Sequence, residues 1–77
     1  MKNIKRIRVL NDFTQLKVQM ETGIPQSLLS RYETGDLIPT TDNLLILSAF
    51  YHTSVDYLLD LTDEEKPYPR KKIINLK

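Results

Sequence analysis

The amino-acid sequence predicts a small all-α domain built from five short helices. Three observations carry this prediction. Apolar residues recur every three or four positions in successive segments, which is the spacing of one helix face. Residues that begin or end helices, such as Thr14, Gly23 and Gly35, stand between these segments. The connecting segments are short, so the helices must pack against one another around one core.

Each helix is predicted from its own apolar stripe and its end signals. The first three helices are predicted at 3–11, 15–22 and 25–33. The fourth is capped by Thr40 or Thr41 and broken at His52-Thr53, and the fifth is capped by Thr53 or Ser54. The residues predicted to face inward are Ile4, Ile7, Phe13, Val18, Ile24, Leu29, Tyr32, Leu44, Leu47, Ser48, Tyr51, Val55, Leu58 and Leu59. Thr14 is the expected N-cap of the second helix, and Gly23 can take the left-handed conformation that ends it. Pro25 suits the first position of the third helix, and Asp56 is placed for a capping-box-like contact in the fifth.

The composition changes after Leu61. Residues 1–61 are predicted to form the folded domain, and residues 62–77 a polar and basic C-terminal tail interrupted by prolines. The tail ends in a short apolar core within a basic frame, KKIINLK. We expect it to be disordered in the isolated monomer. An edge strand that pairs with a second copy is the alternative.

Several classes of function lack support in the composition. The chain of 77 residues has no cysteine, which excludes disulfides and cysteine zinc sites and fits a cytoplasmic location. Its longest apolar run, Leu44–Leu47, is far too short to cross a membrane. His52 is the single histidine and is expected near a helix C-terminus rather than in a metal site. No pair of acids suggests catalysis, so we expect no enzyme, cofactor, metal or small-molecule ligand.

Positive charge is concentrated at the two ends of the chain. The net charge is only +1, and all ten acids lie in the middle, where Lys17 and Arg31 are the cations. The basic residues of the ends are Lys2, Lys5, Arg6, Arg8, Lys66, Arg70, Lys71, Lys72 and Lys77. Such runs commonly serve solubility. They can also hold an anionic partner around a nearly neutral surface.

Many positions over residues 3–61 resemble the phage-repressor (Cro/Xre-type) helix-turn-helix family. The matching elements are Ile4-x-x-Ile7-Arg8, Phe13-Thr14-Gln15, Val18, Gly23-Ile24, Leu29-Ser30-x-x-Glu33-x-Gly35, Pro39, Leu44, Leu47 and Ser54-x-Asp56-x-Leu58-Leu59. The resemblance implies a compact five-helix, lambda-repressor-like DNA-binding domain. It also implies a transcriptional regulator, usually a repressor, that binds double-stranded operator DNA as a homodimer.

The resemblance further implies roles for individual residues. It implies that Gln26, Ser27 and Arg31 meet base edges or nearby phosphates. Helical spacing places Ser30 beside them on the outer face of the third helix, and we expect Arg31 to be the main base-reading residue. Phosphates or the DNA backbone are contacted by Gln15, Thr34 and Thr40. Arg8 and Glu33 form a partly buried ion pair that ties the first helix to the end of the third.

The chain departs from the family pattern at four positions. Gln19 stands where a small alanine is usual, and it is expected either to loosen the contact between helices two and three or to turn outward. Pro25 replaces the usual Ser/Thr cap of the third helix. Thr53 and Ser48 replace a common valine and a common alanine. The alternative hypothesis is an antitoxin-like or adaptor module that uses the same scaffold to hold another protein.

Overall fold

In the computed structural model, which describes residues 1–67, the chain folds into five α-helices. They are α1 (Lys2–Leu10), α2 (Gln15–Thr22), α3 (Gln26–Thr34), α4 (Thr41–Tyr51) and α5 (Val55–Leu58). No strand occurs within residues 1–67. The all-α prediction is therefore confirmed. The choice between a disordered tail end and an edge strand concerns residues 68–77, which lie outside the described residues.

Local signals set most of the helix ends. Thr14 accepts a hydrogen bond from the Lys17 N–H at 3.0 Å and so caps α2, as predicted. Gly23, at φ 81°, ends α2 in the left-handed conformation. Of the two N-cap residues predicted for each of the last two helices, Thr40 caps α4 and Ser54 caps α5. Thr40 accepts from the Asn43 N–H at 3.2 Å, and Ser54 from the Tyr57 N–H at 3.0 Å.

Three predicted details of the helix ends were wrong: the range of α1, the start of α3 and the capping contact of α5. Helix α1 runs over Lys2–Leu10 rather than 3–11. Helix α3 begins at Gln26, and Pro25 is its extended N-cap with ψ 142°. Helix α5 ends at Leu58, because the chain turns at Asp60 into the left-handed region with φ 64°. No capping-box bond from Asp56 is found among the described residues. The residue three positions after the Ser54 cap is a tyrosine, which has no carboxylate to return the bond.

Residues from every helix form one buried core. Its members are Ile4, Ile7, Val18, Ile24, Leu29, Tyr32, Leu44, Leu47, Tyr51, Tyr57 and Leu58. The partly buried Phe13 packs on this core and contacts the ring of Phe50, with 5.3 Å between the ring centroids. Helices α1 and α2 both pack against α3. This arrangement buries Leu29 and Tyr32 on the inner side of α3 and leaves its other side open to solvent.

A polar contact that local patterns did not predict joins the start of α1 to the turn after α5. The Asp60 carboxylate accepts from the backbone N–H groups of Lys2 at 3.1 Å and Asn3 at 2.8 Å. The buried Asn3 side chain donates to the carbonyl oxygens of Tyr57 and Thr62. A residue almost sixty positions away thus caps the first helix. Asp60, whose carboxylate accepts these two bonds, is itself in the left-handed conformation.

The buried tyrosines should make the fold sensitive to alkali. Burial raises the pKa of Tyr51 well above its ordinary value, and the nearby Glu33 carboxylate adds to the shift. Unfolded tyrosines ionise near pH 10, so above about pH 10 the unfolded state loses protons first and stability falls. We expect Tm to drop between about pH 10 and pH 11 and the drop to be smaller in Tyr51→Phe. Equal slopes in thermal melts of the two proteins would contradict this assignment.

Candidate nucleic-acid interface

The outer side of α3 presents a row of polar side chains. Gln26, Ser27, Arg31 and Thr34 are exposed, and Ser30 is half-buried at the edge of the row. On a helix that turns 100° per residue, Ser27, Arg31 and Thr34 point away from the buried Leu29. All these groups can donate or accept hydrogen bonds in a DNA groove. The predicted base-reading residues therefore share one accessible surface.

Arg31 is the cation of this surface. Its Nε lies 3.9 Å from Asp36 Oδ2, and the two side chains are 56% and 70% exposed. An exposed ion pair of this length contributes little to stability. The Arg31 guanidinium can therefore leave Asp36 and reach an anionic or base-edge acceptor at low cost.

A chain of hydrogen bonds runs from the start of α3 back to α1. Gln26 Nε2 lies 3.4 Å from Gln15 Oε1, and Gln15 Nε2 donates to Glu33 Oε1 at 3.1 Å. Glu33 in turn accepts from Arg8. Gln15 is thus held at the start of α2 beside α3, where the N-terminus of α2 also favours a phosphate.

The Arg8–Glu33 ion pair joins α1 to the end of α3. Arg8 Nε donates to Glu33 Oε2 at 2.7 Å, and Nη2 donates to Oε1 at 3.0 Å. The side chains are only 14% and 5% exposed. Arg8 Nη1 also donates to the Phe13 carbonyl oxygen at 2.8 Å. The hydrogen bond to Glu33 raises the pKa of Arg8 despite the opposing effect of burial. This geometry fixes the direction of α3 relative to α1.

Thr34 and Thr40 serve the local backbone in the free protein. The Thr34 hydroxyl donates to the Arg31 carbonyl oxygen and accepts from the Asp36 N–H, and Thr40 is the α4 cap. Both residues are exposed. Within residues 1–67, neither Ser27 nor Thr40 is hydrogen-bonded to another predicted DNA-contacting side chain. The structure therefore links Gln15 to Gln26 by a side-chain hydrogen bond, whereas Ser27 shares only the exposed side of α3 with the other base-reading candidates.

Gln19 makes a contact with α3 that the sequence analysis missed. Its Oε1 accepts from the Gln26 backbone N–H at 2.7 Å. Because a backbone N–H needs an acceptor, the oxygen of the Gln19 amide must face it. The side chain is half-buried and bonds to the first residue of α3 instead of turning outward. The only sequence signal was that Gln19 and Pro25 both depart from the family pattern.

A helix-turn-helix family model matches residues 4–58. The chain belongs to this family, in its Cro/C1-type, Xre-like form. It is 35% identical to the uncharacterised HTH-type transcriptional regulator YobD of Bacillus subtilis, covering 96% of this chain and 64% of YobD. It is 37% identical to the HTH-type transcriptional regulator ImmR of the same organism, covering 84% of this chain and 51% of ImmR.

The antitoxin PezA of Streptococcus pneumoniae is a further relative, 35% identical over 84% of this chain and 39% of PezA. The chain thus spans about two fifths to two thirds of the length of the curated relatives that it matches. No solved structure matches it significantly.

The remaining departures from the helix-turn-helix pattern are accommodated by hydrogen bonds. Ser48 and Thr53 are 4% and 2% exposed, so an unpaired hydroxyl would be costly at either position. The Ser48 hydroxyl donates to the Leu45 carbonyl oxygen, and that of Thr53 to the Glu65 carbonyl oxygen. Thr53 thereby holds the first tail residues against the end of α4.

Proposed function

We propose that this protein is a transcriptional regulator, most simply a repressor, that binds operator DNA by inserting α3 into the major groove. The observation that supports this proposal most is that α3 exposes a row of polar side chains while its opposite side is buried in the core. Gln can donate and accept together at adenine, and Arg can bind guanine through two hydrogen bonds. Base reading is therefore assigned to Gln26, Ser27, Ser30 and Arg31. Phosphate contact is assigned to Gln15, Thr34 and Thr40.

The basic start of the chain supports this proposal. Exposed Lys2, Lys5 and Arg6 border a groove that also includes Thr34, at the C-terminal end of α3. Cations near the reading helix attract phosphates and release counterions when DNA binds. They compensate for the single positive charge that α3 carries. We place this activity in the cytoplasm and assign no enzymatic step, cofactor or metal to it.

We further propose that the protein acts as a homodimer. One α3 offers few base contacts, and two copies on a two-fold site double them and place the helices about one DNA turn apart. Ile38 and Leu61 are the favoured interface residues, because 71% and 70% of their surfaces are exposed. The other apolar positions considered are Tyr57 of α5 and the apolar residues of the tail. Tyr57 is 1% exposed and belongs to the core instead. The tail residues, Ile73, Ile74 and Leu76, lie outside the described residues.

Selection from a random DNA pool tests DNA binding and dimer geometry together. We expect a two-fold symmetric sequence with half-sites about 10 base pairs apart, centre to centre. Affinity for that sequence should fall steeply as salt rises, with a logarithmic slope near −0.9 per phosphate neutralised. Enrichment of no sequence at low salt would reject the proposal. An asymmetric site would reject the two-fold dimer while keeping DNA binding.

The second candidate function is an antitoxin-like or adaptor role, in which the scaffold holds another protein. The similarity to the antitoxin PezA favours this candidate. The acidic middle of the chain also makes a weaker attraction for DNA than a basic one would. Failure of the pool selection, together with a salt-insensitive complex with a protein partner, would favour this function over DNA reading.

A further inference from the structure

The start of α3 lacks the usual means of capping a helix. Its N-cap is Pro25, which has no side-chain acceptor, and no side-chain cap comes from that position. The first N–H groups of a helix have no partner inside the helix. The N–H groups of Leu28 and Leu29 both bond to the Pro25 carbonyl oxygen at 3.0 Å, which leaves the N–H groups of Gln26 and Ser27 without a partner inside the helix.

Gln19 supplies an acceptor for the first of these from the neighbouring helix. The bond between its Oε1 and the Gln26 N–H is 2.7 Å long and crosses the turn between α2 and α3. Alanine, the usual residue at this position of the family, has no side-chain acceptor. A proline cap without such an acceptor would leave the first turn of α3 less well held.

We propose that Gln19 and Pro25 form a compensating pair, in which Gln19 is a positioning residue for DNA reading because it caps α3 through the Gln26 N–H. This inference rests on the proposed function. Gln26 is the first residue of α3 and also a predicted base contact, so the cap acts on the backbone of a reading residue. Gln26 Nε2 is held by Gln15 as well. Gln26 is thereby tied to α2 through both its backbone and its side chain.

The cap itself is tested in the free protein by NMR, without DNA. Gln19→Met keeps the length of the side chain but offers only a weakly accepting sulfur, and Gln19→Glu keeps an oxygen acceptor. We expect the Gln26 amide proton to move upfield in Gln19→Met and to stay near its original position in Gln19→Glu. Met20→Ala is the matched control, since Met20 is the next residue of α2 and is 74% exposed. An unmoved Gln26 amide proton in Gln19→Met would overturn the cap.

The positioning role is tested with the DNA sequence that the unchanged protein selects. Loss of an N-cap typically costs a factor of about five in the equilibrium constant. We therefore expect Gln19→Met to bind that sequence about fivefold more weakly and to select a broader set of bases at the position read by Gln26. Gln19→Met/Pro25→Ser places a capping hydroxyl that can accept from the N–H of Ser27 or Leu28, so it should recover the part of both losses that comes from fraying of the first turn of α3. Met20→Ala should match the unchanged protein.

The two hypotheses fail in different ways. If the unchanged protein selects no sequence, the proposed function is rejected, and the positioning role in DNA reading with it. If the unchanged protein selects a sequence and Gln19→Met binds it with equal affinity and equal base preference, only the positioning role is overturned. If Gln19→Met has a lower Tm but selects the same DNA sequence, the positioning role is likewise overturned, because the cap would then contribute to stability alone.

Discussion

Replacing Arg8 by alanine is expected to destabilise the fold as well as weaken DNA binding. The change strands the Glu33 carboxylate, whose side chain is 5% exposed and, within residues 1–67, keeps only the Gln15 amide as a side-chain donor. Breaking a buried ion pair on one side costs about 3–5 kcal/mol. Because Arg8 retains some contact with solvent, we expect the lower end of that range. For a domain of this size, ~3 kcal/mol lowers Tm by roughly 12–24 °C.

Thermal unfolding of Arg8→Ala and of the double variant Arg8→Met/Glu33→Leu measures this effect. The double variant removes both charges and fills the space with apolar atoms, so it should recover most of the lost stability. A double variant as unstable as Arg8→Ala would mean that the charges themselves are not the cause. If Arg8→Ala lost DNA binding at an unchanged Tm, Arg8 would be a phosphate contact rather than a structural residue.

Replacing Arg31 by alanine is expected to weaken binding to the selected DNA without lowering Tm. A good bidentate contact to a base contributes about 1–3 kcal/mol of discrimination, which corresponds to a loss of affinity of roughly 5- to 150-fold. The base preference at one position should relax at the same time. Stability should change little, because Arg31 is exposed and lies 3.9 Å from its nearest acid, Asp36.

Two further variants make the Arg31 result specific. Lys17→Ala removes an exposed cation of α2 that pairs with Glu21 at 3.2 Å, and it should affect the selected DNA far less. Arg31→Lys keeps the charge but loses the two-pronged geometry that guanine requires. If Arg31→Lys restored both affinity and specificity, Arg31 would contact a phosphate. Unchanged affinity in Arg31→Ala would remove it from the interface altogether.

The sequence predicted best where the chemistry is local. Helix α2 was predicted at residues 15–22, and it has those bounds, because Thr14 and Gly23 each act on backbone groups within a few positions. The inward positions of α3 followed in the same way from helical spacing. The start of α3 was less well predicted, because Pro25 can begin or precede a helix. The end of α5 was not predicted, because Asp60 responds to distant N–H groups.

The contacts that sequence reasoning missed are those between side chains far apart in the chain. Asn3 reads as an ordinary polar residue of a first turn, yet it is 7% exposed and bonds to the Tyr57 and Thr62 carbonyl oxygens. In the sequence, Gln19 is simply a polar residue where the family usually has alanine. Its role becomes clear only when Pro25 is seen to precede α3, because the Gln26 N–H then needs an acceptor. Only the packing angle between α2 and α3 brings the Gln19 amide within reach of the Gln26 N–H.

The sequence by itself determined the class of fold, the helix that faces outward and the polar row along it. Apolar periodicity and capping residues act over one or two turns, so their consequences can be predicted without coordinates. The tertiary structure alone decided how firmly that helix is held. Burial of the Arg8–Glu33 pair and the Gln19 bond to Gln26 depend on distances between helices, which no local pattern contains. The direction of α3 follows from these cross-helix contacts, and the polar residues on its exposed side follow from the sequence.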